Sequence, residues 1–127
     1  MYRNLINISS NVYSKLNIDK ARRMLLFSYP DINFTKSAII VPASDAEGMF
    51  PFRNILGLFY SDESREEVAR KLKTIEFSLG KTHKDRETGK VIIEIDLLQH
   101  GDKVLHQQDF EKEYVQDLLR ELDEAPE

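Results

Sequence analysis

Apolar residues follow two different spacings along this chain, and each spacing predicts one type of element. Strands are predicted where apolar and polar residues alternate, or where β-branched and aromatic residues cluster, at residues 4–9, 34–41, 50–60 and 91–98. Helices are predicted where apolar residues recur every three or four positions, at residues 17–29, after residues 61–64 as far as Gly80, and at residues 111–122. A tight turn at residues 100–103 is expected to bring the following residues back against the last strand.

The ends of the predicted helices carry residue types that start or stop a helix. Asn17 is the expected N-cap of the first helix, and Tyr29-Pro30 ends it because proline disfavours helical backbone in the preceding residue. The buried face of this helix is expected to consist of Ile18, Ala21, Leu25 and Leu26. Acidic residues before the second helix suit its N-terminal dipole, and Gly80 is its expected C-terminal stop.

The predicted elements follow the order β-α-β-β-α-β, with a short hairpin and a C-terminal helix after them. This order predicts an α+β protein with a ferredoxin-like sandwich, in which two helices cover one face of an antiparallel sheet. The opposite face is then open to a ligand. We expect a single domain over residues 1–122 and a frayed tail over residues 123–127, because a chain of 127 residues fits one core.

Composition narrows the classes of function. The chain is 41% apolar and 31% charged, as in ordinary globular proteins, and it contains no cysteine, which excludes disulfides, zinc–thiolate sites and thiol catalysis. The net charge of −4 gives no general attraction to nucleic acid or to an anionic membrane, so neither is an expected partner. Neither a signal-peptide pattern nor a membrane-length apolar run is seen in the sequence, which predicts a cytoplasmic location.

Two carboxylates stand out on the last predicted strand. Glu94 and Asp96 are two positions apart and therefore share one face of the strand, while Val91, Ile93, Ile95 and Leu97 point to the other face, under the helices. Adjacent carboxylates repel one another, and a Mg²⁺ ion relieves that repulsion when it binds both together with substrate phosphates. The alternative is an ordinary solvated strand face with two acidic residues.

A basic loop precedes this acidic strand. Its charged residues include Lys81, His83, Lys84, Arg86 and Lys90, against two acids. Cations beside a metal-binding carboxylate pair suit a polyphosphate, because phosphoryl transfer depends on positioning and on charge neutralisation. A basic loop that only keeps the surface soluble is the alternative.

Four short motifs, in order along the chain, carry a resemblance to a known family. The basic loop from Gly80, through Gly89-Lys90, leads into the strand with Glu94 and Asp96. Upstream lie Ile8-Ser9-Ser10-Asn11, Phe52-Arg53-Asn54 and Ile75-Glu76. Together these motifs resemble the signature of the 6-hydroxymethyl-7,8-dihydropterin pyrophosphokinase family, over about residues 4–105. The fold of that family is ferredoxin-like, as the element order also predicts.

The resemblance implies a magnesium-dependent transfer of pyrophosphate from ATP to the hydroxymethyl group of a reduced pterin, in folate synthesis. By position, Glu94 and Asp96 would hold Mg²⁺, and Phe52 and Asn54 would bind the pterin. Lys81 and His83 would be the catalytic phosphate contacts. The ATP-binding set implied by the resemblance is Glu76, Lys81, His83, Lys84 and Lys90. For Asn54 the alternative is a strand-end amide that satisfies the local backbone.

This chain departs from the family pattern at residues that carry charge. Glu94 stands where the family has aspartate, Val91 stands where an arginine is expected, and Lys81 and His83 replace loop arginines. Lysine does not make the planar bidentate contact of arginine. The C-terminal region is short and offers His106, Lys112 and Tyr114 as its cationic and aromatic residues. A catalytically impaired relative that binds a ligand or a protein partner is therefore the alternative function, and RNA binding is a distant third.

Overall fold

The computed structural model describes residues 1–42, 50–82 and 84–124. Within these ranges the strands are β1 (Tyr2–Ser10), β2 (Asn33–Phe34), β3 (Ile39–Val41), β4 (Phe52–Ser61), β5 (Glu94–His100) and β6 (Lys103–Val104). The helices are α1 (Ser14–Ser28), α2 (Arg65–Ser78), α3 (Asp85–Thr88), α4 (Gln107–Phe110) and α5 (Glu113–Glu124). The protein is thus α+β, as predicted. Among the helices that the structure describes, none combines the length and apolar character needed to cross a membrane.

The strands form one sheet in the order β2-β4-β1-β5-β6, with β3 also paired to β4. Every described pair of neighbouring strands is antiparallel. β1 lies at the centre, and its residues 4–10 are buried. Its residues pair with β4 on one side and with β5 on the other, so that Ile8 lies between Ile55 and Ile95.

Helices α1 and α2 pack on one face of the sheet. Ile18, Ala21 and Leu25 of α1 are buried there, together with Val68, Leu72 and Ile75 of α2. Ser64 begins α2 with a capping box, in which its hydroxyl and the Glu67 side chain each accept a backbone N–H. Gly80 follows the helix with φ 103°, a left-handed conformation that glycine adopts without strain.

The opposite sheet face is half covered, whereas the sequence predicted an open face. Val115, Leu118 and Leu122 of α5 pack against the sheet side chains of Leu5, Leu56 and Leu98. Three apolar residues at helical spacing thus meet three apolar residues on neighbouring strands, and both surfaces leave water. Asp123, which was predicted to lie in a frayed tail, belongs to α5 and pairs with Arg3 at 3.2 Å. Residues 125–127 of the predicted tail lie outside the described residues.

Several predicted boundaries differ from the structure. Helix α1 begins at Ser14 after Tyr13, so Asn17 is not its N-cap; the Asn17 side chain instead donates to the Val12 carbonyl at 2.6 Å. Leu26 is exposed rather than buried. The single strand predicted over residues 34–41 is two short strands, and the strand predicted from residue 91 begins at Glu94. The last predicted helix, residues 111–122, corresponds to α5, and the short helix α4 before it was not predicted.

Candidate functional site

Cross-strand pairing gathers polar side chains on the half of the sheet face that α5 leaves uncovered. Asn7 of β1 lies opposite Asp96 of β5, and Ser9 lies between Asn54 of β4 and Glu94 of β5. Directly opposed residues in an antiparallel pair project from the same face. The sheet face is therefore apolar where α5 lies and polar beyond it.

This polar area is the floor of a cavity of about 910 Å³. Its floor includes Asn7, Asn54, Glu94 and Asp96, and Phe52 lines it beside β3. The residues around its outer side come from α4, α5 and the link between them: Asp109, Lys112, Glu113, Tyr114 and Asp117. The fold thus brings the two predicted pterin-binding residues and the two predicted metal-binding residues into one cavity.

A second cavity of about 680 Å³ lies between α2 and the strands β5 and β6. Its charged lining residues include four cations, Arg65, Lys73, Lys81 and Lys103, and four acids, Glu66, Glu76, Glu94 and Asp96. Glu94 and Asp96 line this cavity as well as the first. The carboxylate pair therefore stands where a cavity with amide and aromatic side chains meets a cavity with cationic side chains.

The environment of Asp96 disfavours its ionised form. Burial is the largest cause, followed by the neighbouring carboxylates of Glu94 and Glu76, and together they raise its pKa from 3.8 to about 7. Lys81 opposes this shift, because a nearby positive charge favours the carboxylate. A bound cation would relieve the same repulsion.

Glu76 anchors the acidic strand to helix α2. Its Oε2 accepts a hydrogen bond of 2.6 Å from the backbone N–H of Ile95 and lies 3.2 Å from the Lys81 Nζ. Burial raises the pKa of Glu76, while the Ile95 N–H and Lys81 act in the opposite direction. Of the predicted ATP-binding set, Glu76 and Lys81 lie at the cation-lined cavity, and each already contacts the other.

Two further predicted phosphate contacts, Lys84 and Lys90, are not at these cavities. Lys84 and Lys90 are exposed, and among the described residues they line neither cavity. His83 lies outside the described residues. Val91, in the place of an expected arginine, is buried at the edge of the larger cavity and supplies only apolar surface.

Asn11, in the motif that begins at Ile8, has a structural role. Its Nδ2 donates to the Gly89 carbonyl at 2.8 Å, and its Oδ1 accepts from the Val91 N–H at 2.6 Å. These bonds attach the end of the basic loop to the end of β1. The hydrogen bonds of the Asn11 side chain therefore fix the place where the basic loop rejoins the sheet.

Asn54 satisfies local backbone, as the alternative to ligand binding predicted. Its Nδ2 donates to the carbonyls of Ile39 and Phe52, each at 3.3 Å. Its Oδ1 faces Asn7, whose Nδ2 lies 3.5 Å away. The Asn54 amide is thus oriented before any ligand arrives, and it is nearly buried at the cavity floor.

Asn7 is a cavity residue that the sequence motifs did not indicate, and Tyr114 is one whose role they did not specify. The Asn7 Nδ2 donates to the Tyr114 hydroxyl at 2.9 Å, which links β1 to α5. Burial raises the pKa of Tyr114, with Lys112 and the Asn7 hydrogen bond opposing the shift. The alternation of Ile6, Asn7, Ile8 and Ser9 was a signal for Asn7, because it places Asn7 and Ser9 on the face opposite the helices.

Lys112 is the only cation that lines the larger cavity among the described residues. Its Nζ pairs with Asp109 at 3.1 Å. Burial works to lower the pKa of Lys112, but the hydrogen bond with Asp109 and the nearby charges outweigh it and raise the pKa. The larger cavity is consequently rich in hydrogen-bond acceptors and poor in cations.

No protein-family model matches this chain, and no curated protein is significantly similar to it.

Proposed function

We propose that this protein transfers pyrophosphate from MgATP to the hydroxyl of a 6-hydroxymethyl-dihydropterin, on a ferredoxin-like fold in the cytoplasm. One observation carries the proposal: Glu94 and Asp96 line two adjacent cavities of different chemistry. The larger cavity offers amide, aromatic and apolar surface for a heterocycle. The smaller one offers cations for a triphosphate.

The strand order supports the ferredoxin-like assignment. Reading β2 and β3 as one interrupted edge strand leaves four main positions, with β4 and β5 on either side of β1. Helices α1 and α2 both cover the same face. Helix α5 is then an addition that covers part of the second face and completes the wall of the larger cavity.

The carboxylate pair fits a magnesium ion in the chemistry of its donors. Mg²⁺ takes oxygen ligands and is commonly held by one or two carboxylates, with water and substrate phosphates as the rest. Among the described residues, no group of three or more His, Cys, Asp or Glu side chains suits a metal. Glu94 and Asp96 would therefore hold an ion only in part, and a nucleotide would supply the remaining oxygens. When bound, the ion neutralises negative charge on the phosphates.

The reaction forms one bond and breaks one bond. The ligand hydroxyl oxygen bonds to the β-phosphorus of ATP, the bond from that phosphorus to the α,β-bridging oxygen breaks, and AMP leaves with that oxygen. The hydroxyl proton is released to solvent or a nearby base. In this scheme Lys81, Lys73 and Arg65 bind the triphosphate, and the residues around Asn54 and Phe52 orient the heterocycle.

A binding function without turnover is the second candidate, and the ion pair between Glu76 and Lys81 favours it. Lys81 already has a carboxylate partner at 3.2 Å, so it must exchange that partner for phosphate. No arginine lines the larger cavity in the described part of the chain. A site that keeps its ligand contacts but lacks charge stabilisation in the transition state binds without fast transfer.

Turnover and binding are separated by two measurements on the purified chain. We expect AMP to form from MgATP and 6-hydroxymethyl-7,8-dihydropterin, and we expect Glu94→Gln with Asp96→Asn to abolish it. Asp102→Asn, an exposed acid in the β5–β6 turn, is the matched control and should retain activity. Calorimetric binding of MgATP and pterin with no AMP would support the second candidate, and absence of both binding and AMP would reject both.

A further inference from the structure

The orientation of the Asn7 amide follows from the groups around it. The Ile39 and Phe52 carbonyls only accept hydrogen bonds, so Asn54 must present its Nδ2 to them and its Oδ1 to Asn7. Two facing carbonyl oxygens would repel, so Asn7 presents its Nδ2 to Asn54 and to the Tyr114 hydroxyl. The Asn7 Oδ1 is thereby turned away from both partners.

This oxygen is buried and has no hydrogen-bond partner. Asn7 is 6% exposed, and among the described residues its Oδ1 is the only buried side-chain acceptor left unpaired. Leaving a buried acceptor unpaired costs its full desolvation free energy, so a structure usually retains such a group for a reason. Asn7 lines the larger cavity, so a ligand seated there is a candidate partner for this oxygen.

The surroundings indicate what that group would be. The Asn7 Oδ1 only accepts hydrogen bonds, so the group must carry a donor. Lys112, the cation that lines this cavity in the described part of the chain, is paired with Asp109. A ring amino group is the N–H donor that a nitrogen heterocycle offers to such an oxygen.

We propose that Asn7 is a specificity-determining residue of the larger cavity, whose Oδ1 accepts a hydrogen bond from a ring amino group of the ligand. Tyr114 is its positioning residue, because the hydroxyl holds the amide in the orientation that leaves Oδ1 unpaired. This inference rests on the proposed function for the identity of the cavity as the heterocycle site. It adds the ligand group that Asn7 recognises.

Ring fragments test the inference without turnover. The full chain is titrated calorimetrically with isocytosine, which carries a 2-amino group, and with 4-pyrimidinone, the same ring without it. We expect isocytosine to bind roughly tenfold tighter, as for one hydrogen bond to a buried acceptor. Asn7→Leu should reduce this ratio to about one, and Tyr114→Phe should give an intermediate ratio because the amide is free to turn. Asp102→Asn, at an exposed residue of the β5–β6 turn that lines neither cavity, is the control and should keep the wild-type ratio.

A second measurement covers the case in which Asn7→Leu does not fold. In the wild-type chain, isocytosine should shift the side-chain amide resonances of Asn7 more than 4-pyrimidinone does. An unchanged binding ratio in folded Asn7→Leu, no isocytosine binding, or equal resonance shifts with both rings would overturn the inference. An Asn7-dependent ratio without AMP formation rejects only the proposed function, whereas AMP formation with an unchanged ratio rejects only this inference.

Discussion

The carboxylate of Glu76 accepts a 2.6 Å hydrogen bond from the backbone N–H of Ile95, between the two acids of strand β5. A helix residue thereby sets the position of Glu94 and Asp96. The same carboxylate holds Lys81 at 3.2 Å, so one buried acid connects the strand, the helix and the first residue of the basic loop.

Replacing Glu76 tests this connection. Glu76→Leu leaves the Ile95 N–H unpaired in a buried place, and we expect a loss of about 1–3 kcal/mol in the free energy of unfolding. Glu76→Gln keeps an oxygen that accepts from the Ile95 N–H, so its loss in the free energy of unfolding should be smaller. Urea denaturation of both variants measures the difference. Glu66→Gln, an exposed acid on the same helix, is the control, and a Glu76→Leu midpoint equal to that of the control would contradict the role of Glu76.

The raised pKa of Asp96 predicts a pH dependence of stability. Burial and the neighbouring carboxylates raise this pKa from 3.8 to about 7, so between these values the unfolded chain loses the proton and the folded chain keeps it. The contribution of Asp96 to the free energy of unfolding therefore falls as pH rises through this window. Asp96→Asn should remove this decrease in the free energy of unfolding with rising pH. It should stabilise the protein by roughly 1–3 kcal/mol at pH 8, with little effect near pH 4.

Denaturation curves at several pH values for Asp96→Asn and for Asp102→Asn provide the measurement. Asp102 is exposed in the turn after β5, and its substitution should leave the pH profile unchanged. Parallel pH profiles for Asp96→Asn and the wild-type chain would show that the folded and unfolded pKa values of Asp96 are equal.

Magnesium is expected to stabilise the wild-type chain above pH 7. An ion that binds the folded state raises the free energy of unfolding by about 1.4 kcal/mol at ten times its dissociation constant. The thermal midpoint at pH 8 should therefore rise with Mg²⁺ and should not rise in Glu94→Gln with Asp96→Asn. An equal rise in that double variant would assign the effect to some other site.

Helix α5 should contribute strongly to stability, because it covers the apolar half of the second sheet face. Leu118 is buried against the Leu5, Leu56 and Leu98 cluster, so we expect Leu118→Ala to cost about 2–5 kcal/mol. Arg120→Ala, on the exposed side of the same helix, is the comparison and should change the unfolding midpoint little. Similar midpoints for the two variants would mean that α5 is not firmly packed.

Local pattern predicted most of the elements but not all their ends. The alternation correctly placed Ile93, Ile95 and Leu97 under the helices, because side chains alternate between faces in any strand. Val91, predicted on the same face, instead lies ahead of β5 and lines the larger cavity. The first helix began earlier than predicted because Tyr13 adopts a left-handed backbone with φ 40°, which no residue type in that segment signals. The apolar spacing of α5 was recognised, but not the surface that it covers.

Residue type and spacing determined that Glu94 and Asp96 share one strand face, and they predicted an α+β protein from the order of its elements. Those features depend on residues that are close together in the sequence, because side-chain direction repeats every two residues in a strand and about every 3.6 residues in a helix. Only the tertiary structure decided that Asn7, Asn54 and Tyr114 meet in one hydrogen-bonded row, and that the acids stand between two cavities. Such contacts join positions far apart in the chain, and they depend on strand register and on where α5 packs, which no local spacing specifies.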